Sequence, residues 1–78
     1  YRTRSVQGLG QAVASLRADR GMTQAELGAT IDSSRPTISR LENGADVSMS
    51  TVVESLTALG YEIVLVPRGA QIALTSIE

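Results

Sequence analysis

The segment that most constrains this chain runs from Thr23 to Gly44 and reads TQAELGATIDSSRPTISRLENG. Thr23 and Glu26 stand at capping-box spacing, with Met22 and Leu27 at the flanking positions of a hydrophobic staple, so a helix begins at Gln24. Ser34 can cap a second helix, whose donor-free first turn accommodates Pro36, and Asn43 with Gly44 supplies its stop. The segment therefore predicts two short helices joined by a tight turn, a shape suited to reading DNA.

The flanking residues extend this core. Val6, Leu9, Val13 and Leu16 follow helical spacing, with Ser5 as a cap and Gly21 as an end. Gly8 and Gly10 weaken that helix, each costing about 0.5–1 kcal/mol relative to alanine. The helix from Gln24 buries Leu27 and Ile31, with Ala25 and Ala29 allowing close approach. Ser48 caps a further stripe of Met49, Val52, Val53, Leu56 and Leu59, closed by Gly60. The expected fold is thus mostly α, with four helices over residues 1–60.

From Tyr61 the period changes to two. Ile63 and Leu65, with Tyr61 partly aligned, face one way, and Glu62, Val64 and Val66 the other, until Pro67 stops the strand. A single apolar strand needs covering. In a chain of 78 residues, whose core is marginal for an isolated domain, the simplest cover is the same strand of a second copy. Residues 61–78 are accordingly expected to be a dimerisation strand and tail, with Tyr61, Ile63, Val64, Leu65 and Val66 as the seam. The alternative is an intrachain hairpin of Glu62–Val66 with Ile72–Thr75; residues Gln71–Ile77 form either a further strand or an untied tail.

Composition removes whole classes of function. Without cysteine there is no disulfide, and without cysteine or histidine a zinc, iron–sulfur or haem site lacks its usual ligands, so no cofactor or metal is expected. With no histidine, cysteine or lysine, and serines lacking a visible activator, catalysis is not expected. The longest apolar cluster, Ile63 to Val66, is strand-sized and no signal-peptide pattern is visible after Tyr1, so the expectation is a soluble, cytoplasmic protein without a membrane partner. The net charge of −1 hides a division. Through Gly44, arginines 2, 4, 17, 20, 35 and 40 oppose Asp19, Glu26, Asp32 and Glu42, about +2; beyond it Arg68 opposes Asp46, Glu54, Glu62 and Glu78, about −3. A basic reader and an acidic tail suit a protein that meets phosphate at one end.

On a helix after Ser34, Ile38 and Leu41 define the buried side, opposite Pro36, Ser39 and Arg40, with Arg35 nearer the cap. Arginine donates bidentately to guanine, a hydroxyl serves several base edges and an apolar ring touches the thymine methyl, each good bidentate contact discriminating by about 1–3 kcal/mol. The plain alternative is a solvated arginine face. Gln24 and the free N–H groups beside it can hold a phosphate. Glu42 borders the buried side and wants a partner, for which Arg17 is the candidate in a structural ion pair; the alternative is an exposed, unpaired carboxylate.

TQAEL followed by TISRLENG, with Arg17 ahead of the first glycine turn, resembles the Xre/Cro family of helix-turn-helix proteins over about residues 6 to 60. The resemblance implies a lambda-repressor-like fold in which Gln24 contacts phosphate, Ser34, Arg35, Pro36, Thr37 and Arg40 approach bases or backbone, and Arg17 pairs with Glu42. Ser39 joins the DNA-binding set from its place on the exposed face. Three positions depart from the family pattern: Gly28 replaces the usual alanine, Asp32 the glycine of the left-handed turn and Ser33 an apolar residue. Asp32 tolerates that conformation better than most residues. The distal DVSMSTVVESLTALGYEIVLVP resembles HipB-type antitoxins. That likeness implies an operator-binding homodimer that recognises palindromic double-stranded DNA, represses its own operon and holds a HipA-type kinase toxin. The alternatives are a stand-alone Xre-type repressor and a protein-interaction module without DNA binding.

Overall fold

Each helix begins at a hydroxyl side chain turned back onto its own first turn. The computed structural model describes residues 3–68 and contains α1 (Val6–Asp19), α2 (Gln24–Thr30), α3 (Arg35–Glu42) and α4 (Met49–Ala58). Ser5 Oγ accepts from Gly8 N at 2.9 Å, Ser34 Oγ from Thr37 N at 3.4 Å and Ser48 Oγ from Thr51 N at 3.2 Å. At α2 the capping box is complete, since Thr23 Oγ1 accepts from Glu26 N at 3.1 Å while Glu26 Oε1 accepts from Thr23 N at 2.8 Å. Those bonds from Thr23 hold the Glu26 carboxyl below its ordinary value. Each cap satisfies donors that the first turn cannot, and is worth about 0.5–2 kcal/mol against alanine.

The core joins Val13 and Leu16 of α1, Leu27 of α2, Ile38 and Leu41 of α3, and Val52, Leu56 and Leu59 at α4. Met22, Ile31 and Val47 close its edges from the connecting turns. α3 packs against both α1 and α2, and α4 reaches the core through α2. This wedges the short α3 between its neighbours and leaves its opposite face to solvent.

Two glycines allow that wedge. A Cβ on Gly10 would stand 2.3 Å from the Leu41 carbonyl oxygen, and one on Gly28 would stand 2.9 Å from the Ser34 carbonyl carbon. Gly10 therefore brings α1 onto the end of α3, and Gly28 brings α2 onto its start, which offsets their poor helix propensity. Between α2 and α3, Asp32 takes the left-handed conformation at φ 55°, and Ser33 N donates to the Gly28 carbonyl at 2.7 Å. Aspartate visits this region more readily than most residues because its short polar side chain can bond locally.

The helical stripes differ from expectation at four positions. Val6, Met49 and Val53 are 56%, 75% and 44% exposed, whereas Ala12 lies in the core. Helical periodicity marks a side of a helix; how far the neighbouring helices extend decides which of its residues are covered. Residues 61–67 carry no regular secondary structure in the single chain. A strand requires a ladder partner, and among the described residues there is none. The Ile72–Thr75 half of the alternative hairpin and the second candidate strand over Gln71–Ile77 lie outside the described residues. Among the described residues no helix is long and apolar enough to cross a membrane.

Candidate nucleic-acid interface

The angle at which α3 is presented is held by a polar cluster at the junction of three helices. Arg17 Nε donates to Glu42 Oε2 at 2.6 Å and Arg17 Nη2 to Glu42 Oε1 at 3.0 Å, a bidentate pair linking the last turns of α1 and α3. Arg17 Nη1 also donates to the Met22 carbonyl at 2.7 Å, and Gln24 Nε2 donates to Glu42 Oε1 at 3.0 Å. The Arg17 and Glu42 side chains are only 18% and 6% exposed. Burial works against the Glu42 charge, but the hydrogen bonds from Arg17 and Gln24, with the charge of Arg17, outweigh it and hold the carboxyl below its ordinary value. The bond to Glu42 correspondingly raises Arg17 against the opposing effect of burial.

Beyond this cluster, the start of α3 is open. Ser34, Arg35, Pro36 and Arg40 are exposed, and Thr37 and Ser39 are half-buried, opposite the buried Ile38 and Leu41. The two arginines are not equivalent. Arg40 Nη2 donates to the Asp46 carbonyl at 2.8 Å, which fastens its guanidinium to the loop after α3 while leaving other donors unused. The Arg35 guanidinium has no hydrogen bond to a described residue. The hydroxyls of Ser34 and Thr37 lie 3.0 Å apart and engage each other at the cap, while Ser39 Oγ accepts from Asn43 Nδ2 at 3.4 Å.

Among the residues singled out in the sequence, Arg35, Pro36 and Arg40 thus share the open face, with Ser34 at its upper edge. Thr37 and Ser39 lie at its margin with their hydroxyls already engaged. The Gln24 carboxamide turns toward Glu42, so Gln24 belongs to the cluster that orients α3; its second amide hydrogen and its backbone N–H remain beside the start of α2. Asn43, which sequence reasoning assigned only to the helix stop, is exposed and donates to the Ser39 carbonyl at 2.8 Å. The spacing of an exposed asparagine one turn beyond Ser39 was its available signal. Tyr61, Ile63, Val64 and Leu65 are exposed and Val66 is half-buried, in the segment after α4.

A capped helix, a tight turn and a second short helix offering an arginine-bearing face define a DNA-binding transcription regulator. The chain belongs to the helix-turn-helix family, of Xre/Cro type, whose model matches residues 13–66. The family is a DNA-binding one and not enzymatic. In structure the chain is similar to the clp gene regulator ClgR from Corynebacterium glutamicum, with 33% identity, a TM-score of 0.69, and coverage of 80% of this chain and 67% of that one. A second ClgR structure aligns at the same identity and TM-score over 81% and 82% of the two chains. It is also similar to a chain in the structure of the HipA–HipB–O2–O3 complex, with 29% identity, a TM-score of 0.79, and coverage of 87% and 97%. No curated protein matches the sequence significantly.

Proposed function

We propose that this chain is a homodimeric operator-binding antitoxin that represses its own operon and binds a HipA-type kinase toxin. The open Arg35–Pro36–Arg40 face, on a helix fixed by Arg17, Glu42 and Gln24, carries the DNA part of this proposal. In it Arg35 and Arg40 read base edges in the major groove, Pro36 offers an apolar contact, and Ser34, Thr37 and Ser39 supply hydroxyls to bases or backbone. Gln24 holds a phosphate with its remaining donors. Two copies joined through residues 61–66 present two such helices to a palindrome with half-sites about 34 Å apart.

The similarity to a chain of the HipA–HipB–O2–O3 complex, over 97% of that chain, supports the kinase-toxin partner. A stand-alone transcription regulator is the second reading, supported by the 33% identity to ClgR. Mobility shifts with the DNA upstream of the chain's own gene test the first part: binding is expected to weaken steeply with salt and to vanish in R35A/R40A. Binding that survives both substitutions overturns the assigned face. Co-expression with a neighbouring kinase-like protein tests the partner. A stable complex supports the antitoxin reading, and operator binding without one leaves the stand-alone regulator.

A further inference from the structure

We infer that the loop between α3 and α4 is a specificity determinant of the DNA contact: through the main-chain carbonyl of Asp46 it limits Arg40 to one way of grasping a guanine. The inference rests on the reading of Arg40 as a base contact given above. Both the main chain and the side chain of Arg40 are joined to this loop. Its carbonyl accepts from Ala45 N at 2.9 Å, and its guanidinium donates through Nη2 to the Asp46 carbonyl at 2.8 Å.

The loop has little freedom to yield. Gly44 N donates to the Leu41 carbonyl at 3.1 Å, with Gly44 in the left-handed conformation at φ 76°, and together with the Ala45 bond this closes the end of α3 in a Schellman motif. The first turn of α1 lies directly against that closure, since a Cβ on Gly44 would stand 2.8 Å from Gln7 Cγ and 3.1 Å from Gln7 Cα. On the other side of Asp46, Val47 packs at the edge of the core. Asp46 is therefore held between two fixed points, and the packing of the domain sets the direction of its carbonyl.

The shape of the guanidinium turns this bond into a selection. Bidentate recognition of guanine takes two N–H donors, one to O6 and one to N7. A guanidinium offers such a fork along two edges, Nε with Nη2 and Nη1 with Nη2, and Arg17 uses the first of them on the two oxygens of Glu42. Nη2 belongs to both edges and has one hydrogen on each. Whichever hydrogen meets Asp46, one fork is occupied and one remains. Arg40 thus approaches guanine in a single orientation relative to α3, whereas the Arg35 guanidinium, with no hydrogen bond to a described residue, keeps both forks. Because the acceptor is a main-chain oxygen, the path of the loop carries the selection, and the carboxylate of Asp46 does not.

The test measures, by competition, binding to the DNA upstream of the chain's own gene and to its single-base variants. R40K, which retains the charge and lacks the fork, identifies the position that Arg40 reads, where discrimination is expected to fall by about fivefold or more. A glycine inserted between Ala45 and Asp46 moves the carbonyl away from Arg40, and is expected to reduce discrimination by about threefold or more at that same position and at no other. D46G, which keeps the loop length and frees the direction of the carbonyl, carries the same expectation and decides the matter should the insertion disturb the helical circular-dichroism signal. D46N removes the carboxylate and keeps the carbonyl, so it is expected to leave the parent's preferences intact. In an R40K background the loop variant is expected to change nothing further at that position. Preferences shared by the parent and R40K overturn Arg40 as a base contact, and this inference with it. Where R40K relaxes a position, the role of the loop alone is overturned if the deciding loop variant retains that position, if D46N relaxes it as well, or if the loop variant still acts there in R40K.

Discussion

Replacing Arg17 with alanine would leave the Glu42 carboxylate, 6% exposed, with Gln24 as its one described side-chain donor. Removing one member of a buried ion pair costs about 3–5 kcal/mol, because the remaining charge stays desolvated. Arg17 is 18% exposed and Gln24 remains in place, which puts the expected loss near the lower end, about 3 kcal/mol. For a domain of this size each kcal/mol moves Tm by about 4–8 °C, so thermal unfolding at pH 7 and fixed protein concentration should show a fall of roughly 12–24 °C. The pH dependence separates this cause from lost packing. The carboxyl of Glu42 is held below its ordinary value of 4.5 in the folded chain, so the pair stabilises fully above that value and its contribution is lost as pH falls through the lowered one. Without Arg17, burial acts on Glu42 with less opposition and raises its pKa, so the gap between variant and parent should narrow on acidification. R17M/E42M, which removes both charges, should recover most of the stability. A fall of less than about 4 °C at pH 7, or a gap that stays constant from pH 7 to pH 3, would refute this reasoning.

Three further outcomes follow from single side chains. G10A should destabilise by about 2 kcal/mol or more in chemical denaturation despite alanine's better helix propensity, because its Cβ would meet the Leu41 carbonyl oxygen at 2.3 Å; a gain in stability would show that α1 and α3 separate freely. S55A should be neutral or stabilising by up to about 1 kcal/mol, since the buried Ser55 hydroxyl has no hydrogen-bond partner among the described residues; a loss above about 1 kcal/mol would reveal one. In operator binding, R35A should relax selectivity at one base position by about 1–3 kcal/mol, measured by competition with single-base operator variants, whereas an equal loss on every sequence would mark Arg35 as a phosphate contact.

Local chemistry made much of the fold legible. The Thr23–Glu26 box, the Ser34 cap with Pro36, and the Ser48 cap act within four residues, so each helix start can be read without knowing its neighbours. The relation between helices was less accessible. Gly10 and Gly28 looked like weaknesses because propensity describes an isolated helix, whereas their missing side chains matter where a backbone from another helix passes. The acceptors of Arg40 and of Arg17 Nη1 are the carbonyls of Asp46 and Met22, and a backbone acceptor has no side-chain signature. Gln24 carried a plausible phosphate role by position, yet its proximity to Glu42 depends on how α2 meets α3. The proposed seam residues of 61–66 read as apolar and alternating, but a strand needs a ladder partner, and the described residues of one chain supply none.

The bond between Arg40 and the Asp46 carbonyl makes the two arginines of α3 thermodynamically unlike. A free arginine loses about 2 kcal/mol of rotamer entropy when a contact immobilises it. Arg40 has already surrendered part of that freedom on folding, so a base contact from Arg40 would be gained with little further ordering, and with a direction set by the loop. Arg35 remains adaptable. In the proposed complex Arg40 would therefore meet its base position already aligned, and Arg35 would become ordered only on reaching its own.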